Sequence, residues 1–338
     1  MKRFFLPVVL IAPLLLASCS AEVDLYADGK DLPVVYGLLD ALADTNYIKI
    51  THTLQAGDNP LAAAADPLQS DYPGKLDVRL TEFCNGDSLR QIVLDTITIH
   101  NKQDGLFYAP AQKLYYTTEQ LHLNTPASRY RYRLTVALPD RTLVTEADMV
   151  GSSEFKVRSG TADFSGGFPR ALSDLLFLPA ENAGVYDISM AFTFFERRTF
   201  SSDTVKRTLQ WPLGGFYAKQ LAHQMDEGAC KVRYRHADLY DVLENSLGDD
   251  TLVPGLKRFV TDYPITVTIQ AGGEHLAQYR YYYNLGVFNA EGDFSVIDGA
   301  SGVFSSKMTI TKRLRLGGTT IPDLVRNTNW GFVFIGGD

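Results

Sequence analysis

Short stretches in which apolar and polar residues alternate recur along most of this chain, and they constrain its fold more than any other feature. In the clearest stretch, residues 129–136, the apolar and aromatic side chains occupy every second position. Successive side chains of a β-strand point to opposite faces, so this period places one apolar row against a core. Clusters of Gly, Pro, Asp and Asn, which favour turns, separate the stretches. The pattern predicts a mainly β protein.

The first half of the chain carries about seven such stretches over roughly 120 residues. We predict strands at residues 33–39, 47–54, 76–83, 91–100, 113–123, 129–136 and 142–150. Strands of this length and spacing are typical of an antiparallel sandwich of the immunoglobulin or fibronectin-III kind. Tyr130 or Tyr132 is the candidate for the corner tyrosine of such a fold. Residues 32–157 are therefore predicted to form an Ig-like β-sandwich.

The second half mixes strands with helical periodicity. We predict strands at residues 175–178, 185–197, 204–211, 264–270, 276–288, 302–311 and 330–335. Apolar side chains between residues 239 and 247 recur with the period of a helix, and Gly248 follows as a C-terminal cap. Weaker patterns predict helical segments at residues 216–225 and 256–260. Residues 158–338 are therefore predicted to form a mixed, β-rich α+β domain with one to three helices.

The amino terminus carries a different kind of signal. Lys2 and Arg3 precede an uncharged, largely apolar run at residues 4–16. That run is shorter than the ~20 residues that a membrane-spanning helix needs, and it is typical of a secretory signal. It ends in the Leu-Ala-Ser-Cys sequence of residues 16–19, which resembles a bacterial lipobox.

The lipobox resemblance implies an address at a membrane. Residues 1–18 are expected to be a cleaved signal peptide, and Cys19 is expected to be acylated, which makes membrane lipid a partner. Residues 19–31, mostly polar or small, are expected to form the tether. Ser20 stands where an Asp would act as an inner-membrane retention signal in enterobacteria, so we expect the outer membrane. The sequence leaves open whether the protein faces the periplasm or the medium.

Several short stretches resemble a family of lipoproteins of unknown function from Bacteroidota. They are the lipobox and residues 33–40, 179–183, 185–187, 194–196 and 302–306. The resemblance implies a lipid-anchored envelope protein with an N-terminal sandwich, and it brings no assigned catalytic residues. The chain lacks the dense acidic run after Cys19 that flags surface export in that phylum.

The charge of the chain excludes one class of partner. The 338 residues carry 32 Lys and Arg against 39 Asp and Glu, a formal charge of −7 that becomes −9 when Lys2 and Arg3 leave with the signal peptide. Nucleic-acid binding draws its affinity from the neutralisation of phosphates by basic residues, so no nucleic-acid partner is expected. Besides Cys19, only Cys84 and Cys230 remain, and we interpret them as two separate buried thiols. They would pair only if their Cα atoms came within ~7 Å.

Catalytic and metal-binding motifs are missing from the sequence. It contains no His-Glu-x-x-His, Gly-x-Ser-x-Gly, Ser-x-x-Lys or phosphate-binding glycine loop, so no catalytic residue, metal or cofactor is predicted. His52 lies in phase with apolar residues and is interpreted as a histidine at the edge of the core. Two polar groups have structural interpretations. His236 with Asp238 and Asp241 is interpreted as a helix start, and Asn289 with Glu291 and Asp293 is interpreted as a hairpin turn rather than a Ca²⁺ site.

Two side-chain rows suggest interaction surfaces. Tyr279, Tyr281 and Tyr283 alternate along the predicted strand 276–288, where they form a platform for a glycan or protein partner, or else pack the sheet. Arg129, Arg131 and Arg133 share one strand face, and we expect them to pair with acids across the strands rather than to bind an anion.

These observations predict a binding or scaffolding role at the cell envelope, without catalysis. The bound molecule would be a glycan, a transporter partner or an adhesion target. One alternative is a fimbrillin-like structural subunit that assembles by strand exchange, which requires a removable first strand and a donor strand at residues 330–335. A second alternative is a hydrolase whose site is built from scattered residues.

Overall fold

Residues 32–53, 64–66, 70–101, 111–167, 170–248, 253–284 and 296–336 are described by the computed structural model. The prediction of a mainly β protein is confirmed, because strands far outnumber helices among these residues. The strands are β1 Pro33–Leu39, β2 Asn46–His52, β3 Asp77–Cys84, β4 Asp87–Val93, β5 Asp95–Ile99, β6 Gln112–Thr117, β7 Tyr130–Ala137, β8 Thr142–Asp148, β9 Thr161–Asp163, β10 Leu172–Phe177, β11 Ala183–Arg198, β12 Thr204–Tyr217, β13 Met225–Asp226, β14 Ala229–Arg235, β15 Leu256–Val260, β16 Ile265–Gly273, β17 Ser301–Gly317 and β18 Phe332–Phe334. The helices are α1 Ala218–Ala222, α2 Ala237–Leu247, α3 Glu274–Asn284 and α4 Thr320–Arg326, with a 3₁₀ turn at Ser165–Gly167.

The strands form three sheets. The largest has the order β18-β15-β11-β16-β17-β1-β2-β6-β5, with β12 beside β11 and β9 beside β17. A second sheet has the order β4-β3-β7-β8, and the third has the order β10-β14-β13. Side chains of the second sheet, such as Val78 and Leu134, share one core with Val35 and Ile50 of the largest sheet. Two sheets packed on one core make this part of the molecule sandwich-like, whereas the immunoglobulin or fibronectin-III type stays a prediction.

The two halves of the chain share a sheet but have separate cores. β1 lies between β2 and β17 and pairs in parallel with β17, so that Tyr36 lies opposite Val303. The first core consists mainly of residues up to Met149, and it also includes Phe304 of β17. The second core begins at Val150. The division at residues 157 and 158 stays a prediction, and the structure adds that main-chain pairing is continuous between the two halves.

The strand predicted at residues 276–288 is wrong over its described part, because Glu274–Asn284 is the helix α3. The helix lies where two glycines leave room for it. A Cβ atom on Gly184 would lie 2.8 Å from the Cβ of Ala277, and one on Gly272 would lie 2.5 Å from a methyl group of Leu276. Packing on these glycines overrides the strand preference of a tyrosine-rich sequence, since propensity is a weak prior.

Three other segments differ from prediction. Leu256–Val260 is the strand β15 and not a helical turn, because it pairs with both β11 and β18. The strand predicted at residues 91–100 is interrupted at Leu94, where the chain passes from the second sheet to the largest one. The weaker helix at residues 216–225 shortens to α1, since β12 continues to Tyr217.

The clearest helix prediction is confirmed. The helix α2 buries Leu239 and Leu243, and it ends at Gly248, whose φ of 79° suits a residue without a side chain. None of the helices in the described ranges is long and apolar enough to cross a membrane.

Candidate functional site

The three tyrosines proposed as a platform lie on α3 and not on a strand. Residues four apart share a side of a helix, so Tyr279 and Tyr283 lie on one side and Tyr281 on another. Tyr281 and Tyr283 are 52% and 64% exposed. Tyr279 is half-buried, and its ring meets the ring of Tyr36 edge to face at 6.2 Å. The sequence-predicted platform is therefore split, and one of its members joins a ring from β1.

Tyr36 belongs to a wider aromatic surface on the outer face of the largest sheet. Tyr36 of β1 lies opposite Lys49 of β2, so Tyr47, two residues earlier on β2, shares that face. Tyr47 lies opposite Tyr116 of β6, and their rings are 6.4 Å apart. Tyr36, Tyr47, Tyr116 and Tyr279 form what we call the tyrosine surface. Tyr36 is 43% exposed and Tyr47 is 44% exposed.

Sequence reasoning missed three of these four residues, although a signal was present. Tyr36, Tyr47 and Tyr116 occupy positions of their strands that alternate with buried residues such as Val35 and Ile48. A large aromatic residue in the outward phase of a predicted strand is the informative observation, because that phase is otherwise polar.

Polar contacts fix α3 against the sheet. Arg280 donates two hydrogen bonds to the Asp187 carboxylate, of 2.8 and 2.6 Å. The Nδ1 atom of His275 lies 3.1 Å from the carbonyl oxygen of Phe304 on β17. Bidentate arginine pairs restrict orientation as well as distance, so Tyr279 is held in place beside Tyr36.

The Tyr279 hydroxyl group serves as a neutral hydrogen-bonding group. Burial and the nearby Tyr36 hydroxyl raise the pKa of Tyr279 above its ordinary value. The two hydroxyl oxygens are 3.3 Å apart. Nearby on the same face, the Nζ atom of Lys49 donates to the side-chain oxygen of Gln112 at 3.2 Å. Flat aromatic rings with polar tips suit ligands that have both an apolar face and hydroxyl groups.

The arginine row behaves as predicted. Arg131 pairs with Glu146 and Asp148 across the strands β7 and β8, and Arg133 also pairs with Glu146. Hydrogen bonding to Asp148 raises the pKa of Arg131. Arg129 pairs at 2.6 Å with Glu181, which lies outside the second sheet. The expectation of pairing with acids is confirmed, and these guanidinium groups are already occupied.

A polar cleft lies beside this row. Two cavities of about 370 and 540 Å³ share Arg131, Glu146, Asp148 and Asn182 in their walls. Glu274 and Ser305 line the smaller cavity from the other side. The cleft joins residues from both halves of the chain, but its charged groups are largely paired with one another.

A buried carboxylate lies at the end of β3. Glu82 has no exposed surface, and it accepts hydrogen bonds from Arg90, from the Nδ1 atom of His122, and from the Tyr132 hydroxyl at 2.7 Å. Burial alone would raise the pKa of Glu82, but these hydrogen bonds outweigh it and hold the pKa below its ordinary value. The Tyr132 hydroxyl also accepts the backbone N–H of His122 at 2.8 Å, which ties the strand to the preceding loop.

The remaining sequence-predicted residues have structural surroundings. His52 lies against the ring of Tyr72, 5.0 Å away. Asp238 lies in the first turn of α2, as predicted, and both Asp238 and Asp241 bind Arg235. The buried His236 lies with its Nε2 atom 2.8 Å from the Ser173 hydroxyl.

The two cysteines are free thiols on strands of different sheets. Cys230 is buried, which raises its pKa, whereas Cys84 is only half-buried. Cys19 and the group of Asn289, Glu291 and Asp293 lie outside the described residues. Within those residues, no three His, Cys, Asp or Glu side chains are placed to hold a metal ion.

No protein-family model matches the chain, and a search of curated proteins gives no match either.

Proposed function

We propose that this chain is a lipid-anchored outer-membrane protein, of the Bacteroidota kind that its sequence resembles, which binds a glycan through the tyrosine surface. The observation that carries the binding role is the row of tyrosine rings from β1, β2, β6 and α3 on one outer face. The anchor is the acylated Cys19, and its support is the lipobox of residues 16–19.

The chemistry of the surface favours a sugar over a wholly apolar ligand. A pyranose ring presents C–H groups on its faces and hydroxyl groups at its edge. Tyrosine rings stack against such faces, and the hydroxyl groups of Tyr36 and Tyr279 are placed to exchange hydrogen bonds at the edge. Because the surface is built on packed strands and a fixed helix, little side-chain freedom is lost on binding.

A glycan array followed by titration calorimetry tests the binding role. We expect Tyr36→Ala and Tyr47→Ala to weaken binding to any glycan found by about tenfold each, since stacking area is lost. Tyr263→Ala is the matched control. Tyr263 is also a part-exposed tyrosine, but it lies before the start of β16, whereas α3 follows the end of that strand. Signals no stronger than background across the array, or equal loss in the control, would refute a glycan role. Saturable binding of an envelope protein by the same tyrosines would reassign the surface to a protein partner.

The anchor has its own test. Palmitate labelling of the full chain in a bacterial host is expected to disappear in Cys19→Ala. Labelling that persists in this variant would remove the anchor from the proposal and leave the binding role to be judged separately.

Strand exchange is less compatible with the pairing of the first and last strands. β1 is paired on both sides, so its removal would divide the largest sheet. β18 already pairs with β15 through Arg258, Phe259 and Val260. A donor strand would have to give up this pairing before it joined a neighbour.

A further inference from the structure

The long hairpin of β11 and β12 ends in a segment that is almost wholly exposed. Residues 197–208 are exposed apart from Ser201. At its turn, Phe200 is fully exposed and has a φ of 71°, which is uncommon for a bulky residue. The backbone N–H of Thr199 donates to the carbonyl oxygen of Gly255, so the turn is supported by the residue that precedes β15. The structure therefore holds a large aromatic side chain in water at the end of the hairpin.

Cations lie on one face of the strands that adjoin this turn. Arg197 lies opposite Thr204 on β12 and opposite Lys257 on β15. Two residues back, Phe195 lies opposite Lys206. Residues opposite one another share a face, so Arg197, Lys206 and Lys257 form a basic row on the outer side of the sheet.

One acid near this row is engaged elsewhere, and the exposed Asp203 of the turn, which makes no ion pair among the described residues, offsets one of its charges. Glu196 points to the other face, where it binds Arg207 and the buried Arg258. In the ranges that the structure describes, Arg197, Arg198, Lys206 and Lys257 make no ion pair, although the guanidinium of Arg197 lies over the Phe259 ring. We call Phe200 with the basic row of Arg197, Lys206 and Lys257 the hairpin tip, whereas Arg198 lies on the same face as Glu196. The hairpin tip is a basic region in a chain whose formal charge is −7.

We infer that the hairpin tip docks on an anionic lipid surface, with Phe200 inserted among the headgroups and the three cations of the basic row on lipid phosphates. An exposed aromatic residue at the end of a row of Lys and Arg has the chemistry of a membrane-surface contact. Charge complementarity favours this partner over a second copy of an acidic chain. The proposed anchor at Cys19 supplies the cellular setting, because a tethered chain meets the surface at high effective concentration. The contact itself does not require the acyl group.

Vesicle flotation tests the inference with the full-length chain carrying Cys19→Ala, so that failure of the lipid anchor or of glycan binding leaves the result unaffected. Vesicles of phosphatidylcholine alone are compared with vesicles that also contain phosphatidylglycerol. We expect binding to the anionic vesicles above the neutral ones, and weaker binding as salt increases. Because every variant keeps the apolar run at residues 4–16, differences between variants report on the hairpin tip.

Matched variants decide the outcome. Phe200→Ser is expected to weaken binding by about tenfold or more, and Lys206→Glu by at least about fivefold. Leu89→Ser and Lys156→Glu, which make the same chemical changes at exposed residues of other segments, are expected to bind like the parent. The inference is overturned if the parent shows no preference for anionic vesicles, or if Phe200→Ser and Lys206→Glu match the controls. It is also overturned if the chain does not bind vesicles but self-associates, and sedimentation shows that these two substitutions abolish the self-association.

Discussion

Removal of the Tyr132 hydroxyl group tests the buried hydrogen bonds around Glu82 directly. Tyr132→Phe keeps the buried ring but deletes the donor to Glu82 and the acceptor for the backbone N–H of His122. A hydrogen bond to a charged group contributes about 1.5–3 kcal/mol, and an unsatisfied backbone N–H costs about 1–3 kcal/mol. Because His122 is partly open to water, we expect a total loss of about 2–4 kcal/mol in the free energy of unfolding.

Urea unfolding followed by far-ultraviolet circular dichroism measures this loss, with the slope of the transition as a check on two-state behaviour. Tyr263→Phe, which deletes the hydroxyl of a part-exposed tyrosine, is the control and should change stability little. A double-mutant cycle with Glu82→Gln should give a coupling of about 0.5–3 kcal/mol, since the two groups touch. Loss of less than about 1 kcal/mol in Tyr132→Phe would refute the assignment of Glu82 as a carboxylate held by its donors.

The pH dependence of the same variant follows from the lowered pKa of Glu82. A carboxyl group whose folded pKa is depressed adds stability above its unfolded pKa of about 4.3. That stability is lost as the pH falls through the folded value. The gap between Tyr132→Phe and the parent should therefore be full near neutral pH and narrow under acid. A gap that widens as the pH falls below 4 would contradict this sign.

Other predictions concern backbone packing and thiol chemistry. Gly302→Ala should lower the free energy of unfolding by about 3 kcal/mol or prevent folding. The reason is that Gly302 has a φ of 99° and an added Cβ would meet the carbonyl oxygen of Val35. Gly160→Ala, whose added Cβ meets no neighbour, is the control in urea titrations. Gly184→Ala should displace α3 and lower the free energy of unfolding by about 1–3 kcal/mol. The nuclear Overhauser contact between Tyr36 and Tyr279 should weaken. An unchanged contact would refute the packing of α3 on Gly184. Ellman's reagent should modify the half-buried Cys84 before the buried Cys230, and the reverse order would contradict the burial of Cys230.

Local pattern was sufficient for most strands and for the helix α2. In β3 the period of two predicted the burial of Val78 and Leu80, whereas the structure shows that Glu82 is buried on the same face. The partners of Glu82 come from β4, β7 and the loop before β7, and no local signal joins segments 8 to 50 residues apart. The tyrosine surface also joins segments that are far apart in the chain, because β1, β2, β6 and α3 each contribute one ring.

The alternation of apolar and polar residues determined, from sequence alone, that this protein is mainly β and which face of most strands is buried. The expectation of an acylated Cys19 likewise rests on the sequence. Tertiary structure decided that β1 pairs with β17, that residues 274–284 are a helix, and that Phe200 ends an exposed hairpin. The physical reason is the range of the interactions. A strand's period is written in neighbouring residues, whereas pairing and the seating of α3 on Gly184 and Gly272 depend on groups far apart in the chain.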